Sequence, residues 1–109
     1  MTNEKLTNED IREFQILEHN MHHILMQKQA VQIELSETVN ALNELEKASG
    51  EVYRVMGQVM MRADKASLRK ELEEKKRVLE LKMGAIEKQE NIFEMKAEQL
   101  RKSHEQKVK

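Results

Sequence analysis

The chain has 109 residues, a net charge of −1, no cysteine and no proline. With 39% hydrophobic and 36% charged residues it is too polar for a wide globular core, but it can line a narrow seam between long helices. The near-zero net charge gives no basis for binding nucleic acid or an anionic membrane. Without cysteine there are no disulfides and no thiolate chemistry, and no apolar run approaches a membrane span.

The first ten residues are polar and lack the apolar core of a secretory signal, so a cytoplasmic setting is expected. Thr7 or Asn8 can cap a first helix, with Glu9 and Asp10 placing negative charge in its first turn. From Phe14 a heptad follows. Phe14, Met21, Lys28, Leu35 and Leu42 fall at one seam position; Leu17, Ile24, Val31, Thr38 and Leu45 fall at the other. All but Lys28 and Thr38 are apolar, and this 3–4 alternation predicts a coiled coil. Lys28 is expected to run its stem along the apolar surface and keep its ammonium in water. Ile11, Ile16, Leu25, Met26 and Ile33 lie off the seam. They either widen the apolar stripe or, nearest the N-terminus, stay open for a partner. The helix is predicted over about 8–48, roughly 60 Å long, with Gly50 as its stop.

Residues 52–63 break the helical pattern. Val52-Tyr53-Arg54-Val55-Met56 and Val59-Met60-Met61 are mostly β-branched, aromatic or long and apolar. Gly57-Gln58 between them suits a type II′ turn, whose first central residue needs positive φ. This predicts a β-hairpin pairing Met56 with Val59, Val55 with Met60 and Tyr53 with Arg62. Two apolar strands are marginal alone in water, and no other strand is foreseen in the chain. The missing strands are expected from other subunits.

Asp64 is the expected cap of a second helix over about 65–107. Leu72, Leu79, Ile86, Phe93 and Leu100 recur every seven residues; a second row, Lys76, Met83, Glu90 and Ala97, is weaker and suggests loose packing. Gly84 inside the helix signals a close approach or a slight bend. Folding back at the hairpin sets Leu42 against Leu72, Leu35 against Leu79, Lys28 against Ile86, Met21 against Phe93 and Phe14 against Leu100. One register satisfies all five layers. The expected fold is therefore mainly α: a long antiparallel two-helix coiled coil with one β-hairpin between the helices, as a single domain over 1–109.

Catalytic chemistry is missing. There is no phosphate-binding glycine loop, no cysteine nucleophile and no serine in an activating context. His19 and His23 could share a helix face as metal ligands do, but no third ligand stands nearby, and they read as solvent-facing. Neither a cofactor nor a metal is expected, and the chain is not expected to be an enzyme. Eight methionines are many for this length. Met56, Met60 and Met61 lie in the hairpin, Met21 and Met83 in the seam, while Met26 and Met95 either fill gaps or offer adaptable contacts.

The hairpin sequence Val-Tyr-Arg-Val-Met-Gly-Gln-Val-Met-Met (52–61), followed by a helix carrying Leu-Glu-Leu-Lys-Met-Gly-Ala-Ile-Glu-Lys-Gln-Glu (79–90), resembles the prefoldin (GimC) family, specifically its beta-type subunit. Tyr53, Gly57 four residues on, the apolar strand and Gln89-Glu90 carry the likeness, which covers nearly the whole chain. A beta-type subunit has one hairpin and an alpha-type two. The resemblance implies a hetero-hexamer, two alpha-type with four beta-type subunits in the archaeal form. Its hairpins form a β-barrel platform, and its coiled coils hold non-native proteins at their far ends. Clients then pass to a group II chaperonin, without ATP use by prefoldin itself. The simple layout favours an archaeal source.

On this reading Val52, Tyr53, Val55, Met56, Gly57, Val59, Met60 and Met61 carry assembly. The client-binding tips are placed by geometry at Leu6, Ile11, Phe14, Leu17, Met95, Leu100 and Val108. The partners are then the alpha-type subunit, other beta-type subunits, unfolded polypeptides and the chaperonin. The alternative is a coiled-coil adaptor or scaffold without client holding, which has no need of an apolar ribbon between its helices.

Overall fold

The computed structural model describes residues 7–108, with side chains over 7–106. Its elements are helix α1 (Asn8–Lys47), strands β1 (Val52–Met56) and β2 (Val59–Ala63), and helix α2 (Lys65–Val108).

Each boundary has a local cause. The Asp10 amide donates to Thr7 Oγ1 at 3.0 Å, and the Thr7 amide donates back to Asp10 Oδ2 at 3.2 Å. Thr7 is therefore the cap, and Asp10 completes a capping box in the place usually held by Glu or Gln. At the other end of α1 the Ala48 amide closes a last turn on the Glu44 carbonyl, and Lys65 Nζ donates to the Ala48 carbonyl at 2.8 Å. A cation on an orphan carbonyl is what the negative end of a helix dipole favours. Gly50 then turns the chain away at φ 97°, a left-handed conformation that glycine adopts without penalty. Asp64 caps α2. Its carboxylate accepts from both the amide and the hydroxyl of Ser67, at 3.0 and 2.8 Å.

The hairpin has the register read from the sequence: Tyr53 pairs with Arg62, Val55 with Met60, Met56 with Val59. Gly57 sits at φ 63°, and no non-glycine residue described has positive φ. That excludes a type I′ turn, which needs positive φ at both central residues, and fits type II′.

The contacts divide the chain into two units, Ala30–Met83 and the combination of Met1–Gln29 with Gly84–Lys109. In Ala30–Met83, Thr38, Leu45 and Leu79 are buried, and Val31, Leu35, Leu42, Leu72, Lys76 and Met83 are half-buried. Thr38, a polar residue of this seam, returns its hydroxyl to the Glu34 carbonyl at 2.8 Å and so satisfies its own donor. Ion pairs Lys75–Glu34 and Arg69–Glu46 flank the seam between the helices. In the other unit Leu17 and Ile24 are buried, and Phe14, Met21, Ile86, Phe93, Ala97 and Leu100 are half-buried. Phe14 meets His104 edge to face, with ring centroids 6.4 Å apart. Every seam position assigned by the heptad is withdrawn from solvent.

One expectation needs correction. The Lys28 ammonium is not left to water alone. It donates to Glu90 Oε1 at 2.9 Å, and the two side chains keep only 24% and 14% of their exposure. Glu90, read as a sign of loose packing, and Lys28 satisfy each other. Gly84 also proves simple: it is half-buried and helical, and a Cβ built on it meets nothing within 4 Å.

Candidate functional site

The hairpin is where this molecule departs from what a folded chain normally leaves in water. Side chains alternate across a strand. Given the register, Val52, Arg54, Met56, Val59, Met61 and Ala63 share one face, and Tyr53, Val55, Met60 and Arg62 share the other. Both faces are apolar in the middle and both are open. Tyr53, Val55, Met56, Val59, Met60 and Met61 are between 50% and 68% exposed. Fully burying such a side chain is worth about 1.5–3 kcal/mol, so covering the exposed half of each gives on the order of 1 kcal/mol apiece. The ribbon's outer edges add unpaired backbone groups.

Polar contacts hold this ribbon in shape at its base. Glu51, just outside β1, accepts from Tyr53 Oη at 2.6 Å and from Arg62 at 2.5 Å. Tyr53 and Arg62 are cross-strand partners, so one carboxylate clamps both strands. Arg54 pairs with Glu71 of α2 at 2.9 Å. Between ribbon and helix lies a recess of about 520 Å³, lined by Arg54, Met56, Met61, Ser67, Leu68 and Glu71 among others. Glu51 was missed in the sequence because it precedes the strand and reads as loop.

The residues expected at the tips do not share one environment. Ile11 and Met95 are open, at 43% and 64% exposure. Phe14 and Leu100 are half-buried, and Leu17, at 8%, is core. Leu6 and the side chain of Val108 lie outside the described residues. More apolar surface is open in the same unit at Ile16, Leu25, Met26 and Ile92. Ile92 went unnoticed in the sequence. Its signal was its place three residues before Met95, off the seam and on the same helix face.

A family model described as "Prefoldin subunit" matches residues 8–109. The chain belongs to the prefoldin family. Its fold is that of the crystal structure of the prefoldin beta subunit from Thermococcus strain KS-1, with a TM-score of 0.87, 25% sequence identity, and 97% of each chain covered. No curated protein matches by sequence. Two long helices around a single two-stranded hairpin make this a beta-type prefoldin, a subunit of chaperone type. Prefoldins assemble with other prefoldin subunits, and an open, two-faced apolar ribbon is a surface of the kind assembly covers.

The electrostatics of this prefoldin are those of a helical arm. Glu90, hydrogen-bonded to Lys28, holds the lysine above its ordinary value against the opposing cost of desolvation. Ser67 holds the Asp64 carboxyl below the usual range, first through its hydroxyl and then through its amide. Arg77 lowers Glu74, and Arg101 lowers Glu98, through short surface contacts one turn apart. Among the described residues no group of three or more His, Cys, Asp or Glu could hold a metal, and no helix is long and apolar enough to cross a membrane.

Proposed function

We propose that this chain serves as a beta-type subunit of a hexameric, ATP-independent chaperone, in which it acts as a single prefoldin-like domain in the cytoplasm. The hexamer combines it with alpha-type subunits and further beta-type subunits. It holds non-native polypeptides at the coiled-coil tips and delivers them to a group II chaperonin. The exposed ribbon carries this reading: Val55 and Met60 on one face, Met56, Val59 and Met61 on the other, all open in the single chain. An adaptor that merely links other proteins through its helices has no use for such a surface.

Assembly is assigned to Val52, Tyr53, Val55, Met56, Gly57, Val59, Met60 and Met61. Client holding is assigned to the apolar surface near the chain ends, with Ile11 and Met95 as its open members. Leu17 would reach a client only by opening the seam. Each such contact is weak and adaptable, and several arms acting on one client multiply them through effective concentration.

The test is native mass and subunit content after purification from the source cells, for the natural chain and for a Val55→Asp/Met60→Asp variant. A hexamer containing a second, longer two-helix subunit is expected, with the variant dropping out of it while keeping its helicity. Separately, removal of residues 1–12 and 100–109 should abolish suppression of client aggregation and leave the hexamer intact. A natural chain found as monomer or homodimer, or a truncated form with full activity, would overturn the corresponding assignment.

A further inference from the structure

Neither the seam nor the ribbon uses the three histidines of α1. His19, His22 and His23 are all exposed, within an uninterrupted helix. His19 and His23 are four residues apart, so their Cβ atoms are neighbours about 5–6 Å apart on one face. Gln27 is a further four residues on. Its amide nitrogen lies 3.3 Å from His23 Nε2. A neutral imidazole carries a lone pair on one ring nitrogen, which is the form a metal ion binds. Turning the Gln27 amide over would offer its oxygen at the same point.

The local charge is also favourable. Between Glu13 and Gln29 the helix has one cation, Lys28, and its ammonium is held by Glu90. Glu13 and Glu18 stand in the same stretch.

We propose that His19 and His23 form a two-imidazole chelate for a late divalent transition ion (Ni²⁺, Cu²⁺ or Zn²⁺), with the Gln27 amide oxygen and water filling the remaining positions. Nitrogen ligands suit these ions, whereas the parallel pair Glu18 and His22 offers only one imidazole and a harder carboxylate. With two strong protein ligands the site stays open on one side and exchanges its metal readily. The ion bridges successive turns of α1 and staples them.

The experiment uses the full chain in its native assembly and nickel chloride as the probe. Calorimetric titration should show one ion per copy of this chain. His19→Ala and His23→Ala should each weaken binding about tenfold or more, at least the loss usual for a supporting residue of a metal site. His22→Ala and His104→Ala should bind as the natural chain does. Nickel should raise the melting temperature of the natural chain and not that of His19→Ala. Alanine is the best helix former, so these variants keep α1 intact. Absent uptake, uptake retained by the His19→Ala/His23→Ala double variant, or a loss in His22→Ala equal to that in His23→Ala would overturn the proposal. None of these readouts depends on client holding, so the site stands or falls apart from the chaperone reading.

Discussion

Replacing Gly84 by alanine should make the protein more stable. Gly84 lies in the interior of the 44-residue helix α2, and its backbone is in the ordinary helical range. A methyl group placed there meets no atom within 4 Å, so no repacking is needed. The gain in helix propensity is then realised in full, about 1 kcal/mol. The added carbon projects into open space, so it brings no further gain from burial. The change is therefore about 1 kcal/mol. For a chain of this size that is a rise of roughly 4–8 °C in melting temperature. The measurement is helical circular dichroism against temperature, at one fixed protein concentration because assembly shifts apparent stability. An unchanged or lower melting temperature would refute the reasoning. It would mean that the glycine serves a bend or a close approach absent from this structure.

Gly57→Ala should act in the opposite sense. At φ 63° a side chain costs about 1–2 kcal/mol, and the loss should appear in the same melting experiment together with weaker assembly. Lys28→Glu should destabilise by setting two carboxylates against each other, and the exchange Lys28→Glu/Glu90→Lys should restore much of the loss; equal melting of single and exchanged variants would show the pair to be inert. Because the Lys28 value is raised, its contribution is complete below the ordinary lysine range and fades as pH rises through the raised value, so alkaline melts of the natural chain should converge on those of Glu90→Gln. Asp64 has a lowered value, so its capping is complete above the ordinary carboxylate range and fades as pH falls through the lowered one. Asp64→Asn keeps a capping side chain without the titration and should flatten the acid limb of the stability profile.

The heptad beginning at Phe14 carried both seams into view, because a repeat of apolar residues reports directly which helix face is dry. The hairpin register was equally legible, since Gly57-Gln58 leaves one way of pairing Val55 with Met60. Other features escaped for a common reason: periodicity assigns a residue to a face but says nothing of how far its side chain reaches. Lys28 was set opposite Ile86, yet its long stem carries the ammonium to Glu90, four residues further along the partner helix. Glu51 lies outside any repeat, and its grip on Tyr53 and Arg62 exists only once the strands have paired. Ile92 and Leu81, both largely exposed, sit where the repeat calls for polar residues. Leu17 shows the converse. Its nearness to the chain end suggested a contact for clients, while its heptad position already destined it for the core.

The ribbon also bears on how such a chain is supplied in a cell. Between residues 52 and 63 there is no proline or lysine to blunt its edges, and Arg54 and Arg62 are tied back to Glu71 and Glu51. A copy synthesised in excess of its partners therefore carries a bare, sticky template with no built-in guard against pairing with its own kind. Until its partner subunits arrive, nothing in the ribbon itself covers that template.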